Sequence, residues 1–175
     1  VLILAPLAVS GQLKREAEKF EIPLDSIDVS NYQKIDHFDL SQYDGIVLDE
    51  SSILKNYEGH FRTRLIEEAK QIPFRLAATA TPSPNYYMEL GNHAEFLGIM
   101  SYTDMLTTFF VHDGSSTQNW RLKGHAQEPF WKWVASWAVM LRSPSDIGYD
   151  GSDYNLPKLH QIQHTVEVDY EPNID

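Results

Sequence analysis

The sequence predicts an α/β protein built on a doubly wound parallel sheet. Three observations lead there. Short apolar runs fall at residues 1–5, 27–30, 45–49 and 74–80, and runs of that length suit strands buried on both faces of a parallel sheet. Segments with helical spacing alternate with them. The central run, Ile46-Val47-Leu48, ends in two adjacent carboxylates, Asp49 and Glu50, at the strand end where such sheets bind their ligands.

Each element has its own signal. Residues 1–5 read as a buried strand. Ser10 is expected to cap a helix running to Phe20, with Leu13, Ala17 and Phe20 on one face. A short strand over 27–30 ends at Asn31-Tyr32. Gly45 opens the central strand, 45–49. Residues 60–72 are amphipathic, with Phe61, Leu65, Ala69 and Ile72 spaced for one helix face, and Pro73 stops them. A strand over 74–80 is broken by Thr81-Pro82-Ser83-Pro84, and residues 86–97 read as helical. Asp113 to Thr117 read as a flexible loop, and Trp120 to Gln127 as a polar stretch.

Residues 130–141 predict a strongly apolar helix. Phe130, Val134, Trp137, Ala138 and Leu141 share a face that Trp131 and Trp133 widen. Such a helix serves either as a base-stacking platform or as a packed core element, and the packed reading is the expectation. Residues 143–158 are rich in Ser, Pro, Gly and Asp and read as a linker. Residues 159–168 alternate weakly, as one more strand would. The expected organisation is thus a domain over 1–142 and a linker over 143–175.

Composition narrows the function. A chain of 175 residues with 42% apolar and 12% aromatic content folds around a real core. No apolar run approaches a bilayer span, so no membrane partner is expected. The opening Val1-Leu2-Ile3-Leu4-Ala5-Pro6 has no basic segment before it and does not read as a signal peptide; it reads as a strand entered mid-fold, with residues upstream. The absence of cysteine removes disulfides, thiolate metal sites and a Cys nucleophile, and fits a cytoplasmic protein. A net charge of −11 argues against a bulk electrostatic clamp on DNA. Nucleic-acid contacts would have to be local.

Three strand ends carry the chemistry: Ala5-Pro6, Asp49-Glu50 and Thr79-Ala80-Thr81-Pro82. In a parallel sheet they share one edge. A carboxylate pair facing threonine hydroxyls and backbone N–H groups suits magnesium on a nucleotide phosphate. Taken singly, an Asp-Glu pair is an acidic strand end, and strand-end threonines bond their own backbone. Their joint placement favours a site.

In order along the chain, these motifs resemble the first motor lobe of a superfamily-two helicase of the Swi/Snf-like DNA translocase branch, of the kind found in phage and prophage. Val1 to Phe20, with Ala5-Pro6-Leu7 and then Gln12-Leu13-Lys14-Arg15-Glu16, resembles motif Ia. Val29-Ser30-Asn31-Tyr32 resembles the backbone-touching segment after it. Asp49-Glu50 with Lys55-Asn56 resembles the Walker B element. Thr79-Ala80-Thr81-Pro82, followed by Asn85, Glu89-Leu90 and Phe96-Leu97, resembles motif III and its helix. Leu141-Arg142 and Leu156-Pro157-Lys158 resemble the link toward the second lobe.

The resemblance implies a RecA-like sheet, ATP and Mg2+ as cofactors, and duplex DNA and a second lobe of the same chain as partners. It implies that Asp49 holds the metal, directly or through water, and that Glu50 activates the attacking water. Thr79 and Thr81 would relay nucleotide state, with Thr79 also near the nucleotide. Pro6, Leu7, Asn31, Tyr32 and Pro82 would serve the nucleic-acid track and its coupling, mostly through phosphate contacts.

The departures are specific. No G-x-x-x-x-G-K-[ST] phosphate loop occurs in these residues; in the family it lies just upstream of the strand that begins this chain. Ser51-Ser52 stand where relatives often carry Ala or Gly then His, and Ser143 follows Arg142 where relatives often carry a second Arg. Without the loop and the second lobe's arginine finger, these residues alone are expected not to hydrolyse ATP. Two other readings remain open: a DEAD-box-like RNA helicase lobe, against which Lys55-Asn56 and Leu141-Arg142 weigh, and a degenerate lobe that binds without turnover. A metal-dependent nuclease or phosphatase finds little support. His60, His93, His112, His125 and His160 lack ligand spacing, and His93 and His112 are expected as polar surface or cap residues.

Overall fold

The computed structural model describes residues 1–55, 60–112 and 120–166, and for 60–63 the backbone alone. It is an α/β structure with a four-stranded, all-parallel sheet. The chain divides into two units, Val1–Trp137 and Ala138–Asp175.

Within the first unit, β1 (Leu2–Ala5) leads into α1 (Leu7–Lys19) and β2 (Asp28–Asn31). A turn of 3-10 helix, Tyr32–His37, follows. Next come β3 (Gly45–Asp49), a 3-10 turn over Ser51–Lys55, α2 (His60–Ala69) and β4 (Phe74–Ala78). The sheet order is β2-β1-β3-β4. Strand order therefore reverses between β1 and β3, the point at which open α/β sheets form a ligand crevice. α1 packs against β1 and β2. Leu2, Leu4, Ile46 and Leu48, all 0–1% exposed, pack on one face with Leu65, Ile66, Ala69 and Phe96. The other face is less complete. On β4 it carries Phe74 and Leu76, which stand 73% and 56% exposed.

The four strands of the parallel sheet fall where the sequence predicts them; several boundaries do not. α1 begins at Leu7, not at Ser10. Pro6, with φ −55° and ψ 146°, is its cap, since a proline fixes φ and costs the first turn no donor. Ser10 lies inside the helix and donates its hydroxyl to the Leu7 carbonyl at 3.1 Å. β4 stops at Ala78, before Thr79 and Ala80. The helix expected over 86–97 divides into a 3-10 turn, Tyr87–Glu89, and α3 (Leu90–Leu97). Gly98 ends α3 at φ 74°, with the Ile99 N–H on the Ala94 carbonyl at 2.8 Å.

A second core follows. α4 (Tyr102–Phe109) runs into β5 (Phe110–His112), which pairs antiparallel with β6 (Trp120–Leu122). α5 (Gln127–Ala135) closes it. Phe130, 0% exposed, sits against Phe109, Phe110 and Trp133 at centroid distances of 5.4, 5.5 and 5.8 Å. The tryptophan-rich helix is therefore a packed core element. The sequence predicts it over 130–141, yet it ends at Ala135; Ser136 donates its hydroxyl back to the Trp133 carbonyl at 2.6 Å.

In the second unit, Ser143 and Asp146 form a reciprocal capping box on the 3-10 turn Pro144–Ile147. Residues 159–166 form no strand, and Leu159, Ile162 and Val166 are 77–79% exposed. Asn56, the loop Asp113 to Thr117 and Val168 lie outside the described residues, as does the side chain of Phe61. Among the described residues no helix is long and apolar enough to cross a membrane.

Candidate nucleotide site and coupling edge

The parallel register brings the expected strand ends together. Leu4 pairs with Leu48, Leu48 with Ala77 and Asp49 with Ala78. Ala5-Pro6, Asp49-Glu50 and Thr79 therefore leave the sheet along one edge, beside the switch between β1 and β3.

At that edge Asp49 is half-buried and Glu50 is exposed. The Thr79 hydroxyl donates to Glu50 Oε2 at 3.1 Å, and the Thr79 oxygen accepts the Thr81 N–H at 3.1 Å. One threonine thus ties the carboxylate to the turn that follows β4. Glu50 has φ 52°, a left-handed conformation that costs a non-glycine residue about 1–2 kcal/mol. Such strain persists where the surroundings over-determine it, and it clusters at functional sites.

The residues expected along a nucleic-acid track divide by exposure. Leu7 is 69% exposed; Thr81 and Pro82 are exposed and Pro6 is half-buried. Asn31 and Tyr32 are only 6% exposed. The Tyr32 hydroxyl donates to the Asp49 backbone carbonyl at 2.6 Å. Burial, with Asp49 and Glu50 nearby, raises its pKa far above the ordinary tyrosine value, so it remains a donor. Asn31 Oδ1 is buried without a hydrogen-bond partner.

Behind the carboxylates lies a polar layer whose burial sequence reasoning missed. His93, expected as a polar surface or cap residue, is 3% exposed, and Ser51 is 0% exposed. Ser51 Oγ stands 3.1 Å from His93 Nε2. Desolvation by burial lowers the His93 pKa against the opposing pull of Glu89, so the ring is neutral near pH 7. One residue earlier, Asn92 Nδ2 donates to the Lys55 carbonyl at 3.3 Å. Glu89, 8% exposed, accepts the Asn85 backbone N–H and side-chain amide at 3.3 and 3.0 Å. No local pattern marks their burial; the missing signal is tertiary, because α3 lies against the turn that follows Glu50.

Hard oxygen donors such as Asp49, Glu50 and Thr79 suit a magnesium ion that keeps several waters and takes the rest of its shell from a phosphate. Among the described residues no group of three or more His, Asp or Glu is placed to hold a metal by itself. An open depression lined by Gly124, His125, Gln127, Glu128, Pro129 and Lys132 holds none of the strand-end residues. No family model and no curated protein matches the chain.

Proposed function

We propose that the chain is part of the first motor lobe, RecA-like in fold, of a DNA-dependent ATPase of the Swi/Snf-like superfamily-two branch, working in the intact protein with a second lobe and duplex DNA. The observation that carries this reading is the Thr79–Glu50 hydrogen bond between neighbouring strand ends. It joins the carboxylate pair to the segment that would report nucleotide state.

ATP with Mg2+ supplies the phosphoryl group and neutralises developing charge when bound. Asp49 would hold the ion, directly or through water. Thr79 occupies Glu50 Oε2, and Glu50 Oε1 is the atom that accepts a proton from water. Thr79 and Thr81 pass the state of that carboxylate toward Pro82 and the nucleic-acid side. Pro6 and Leu7 meet phosphates at the start of α1. Asn31 and Tyr32, being buried, serve the track through backbone groups, and Tyr32 ties that segment to the end of β3.

The test is ATP turnover by the intact protein and its Glu50→Gln variant, with and without duplex DNA or RNA. DNA-stimulated turnover that disappears in the variant supports the reading. Preferential stimulation by RNA favours an RNA helicase lobe. Absence of turnover from a folded protein favours a lobe that binds without catalysis.

A further inference from the structure

We propose that His93 is a positioning residue for Glu50: through its hydrogen bond to Ser51 it holds the left-handed backbone that aims the Glu50 carboxylate.

Glu50 lies between two fastened neighbours. On one side the Asp49 carbonyl takes the Tyr32 hydroxyl at 2.6 Å. On the other, Ser51 is fully buried with its Oγ 3.1 Å from His93 Nε2. The turn Ser51–Lys55 is held at both ends by consecutive α3 residues, since Asn92 reaches the Lys55 carbonyl at 3.3 Å. Leu54, 0% exposed, anchors the middle of that turn in the core. Residue 50 spans the gap at φ 52°, a left-handed backbone uncommon for a non-glycine residue.

Two features set His93 apart from ordinary packing. Its Nδ1 is buried without a well-formed hydrogen bond, although the Glu89 backbone favours its proton; such an under-compensated arrangement calls for a role. Ser51 is sealed from solvent, so the pair is no nucleophile and base. The chemistry left to it is mechanical. A neutral imidazole and a hydroxyl fix the distance between α3 and the end of β3.

The backbone half of this proposal is independent of ATP; the kinetic half rests on the ATPase reading. The first experiment uses the isotope-labelled 175-residue chain and the intraresidue HN–Hα NOE of residue 50, which is strong at positive φ. The wild type and His93→Gln, whose amide reaches the same hydroxyl, should show it. Ser51→Ala and His93→Leu should lose it, while the Leu48 and Phe96 signals stay in place. If His93→Leu does not fold, Ser51→Ala decides. A folded Ser51→Ala that keeps the strong NOE overturns the clamp.

The second experiment measures turnover in the intact protein. Ser51→Ala should lower kcat about 10- to 100-fold, the scale of a displaced catalytic group, with the KM for ATP within about two-fold and His93→Gln near wild type. An unchanged kcat overturns the positioning role. A wild type without turnover sinks the ATPase reading, and the NOE alone then decides whether the clamp stands.

Discussion

The Thr79 hydroxyl donates to Glu50 Oε2 at 3.1 Å and so joins the ends of two adjacent parallel strands. Glu50 is exposed and Thr79 half-buried, so their bond adds little to stability. Thr79→Val should change unfolding free energy by less than about 1 kcal/mol and lower turnover of the intact protein about tenfold or more. Thermal melts beside steady-state kinetics check this. A large loss of stability with unchanged turnover would mark the bond as structural only.

Glu50 at φ 52° trades stability for geometry. Glu50→Gly should relieve the strain and, after glycine's own entropy cost, raise stability by about 0.5–1 kcal/mol while abolishing turnover. Glu50→Gln keeps the strain and should leave stability near wild type. Urea unfolding of the three proteins separates strain from side-chain chemistry.

Gly91 marks close packing between α3 and α4. A Cβ there would lie 2.6 Å from Met105 Cε and 2.8 Å from Tyr102 Cδ2. The methionine tip can move aside; the tyrosine ring is less free. Gly91→Ala should cost about 1–3 kcal/mol, read as a lower urea midpoint with an unchanged slope. A neutral substitution would show that the two helices separate easily.

His93 gives stability a pH dependence. Burial depresses its folded-state pKa below the ordinary 6.5, so the unfolded chain binds the proton more readily. Its contribution is full above pH 6.5 and falls as pH drops from there toward the lowered folded value. His93→Gln should flatten the fall in Tm through that window. An identical pH profile in the variant would mean that the ring protonates without penalty.

The sheet and its chemical edge are legible in the sequence because both rest on local signals. Ile46-Val47-Leu48 is short, rich in β-branched residues and bounded by Gly45, which favours a buried strand, and the carboxylates follow at its end. The helix boundaries are less legible because small competitions set them. Pro6 caps α1 ahead of Ser10, and the Ser136 hydroxyl ends α5 early. α4 has a readable signature: apolar Tyr102, Met105, Leu106 and Phe109 at helical spacing behind Ser101, whose hydroxyl oxygen accepts the Asp104 N–H at 3.1 Å. Burial of His93 and Tyr32 has none, because both depend on which element lies across from them in space.

The most direct test of the central claim is ATP hydrolysis by the intact protein on duplex DNA, wild type against Glu50→Gln. The wild type should show DNA-stimulated turnover, and the variant should lose about 100-fold or more, the scale of a lost general base. Turnover that survives Glu50→Gln, or its absence from a folded wild-type protein, would contradict the motor-lobe assignment.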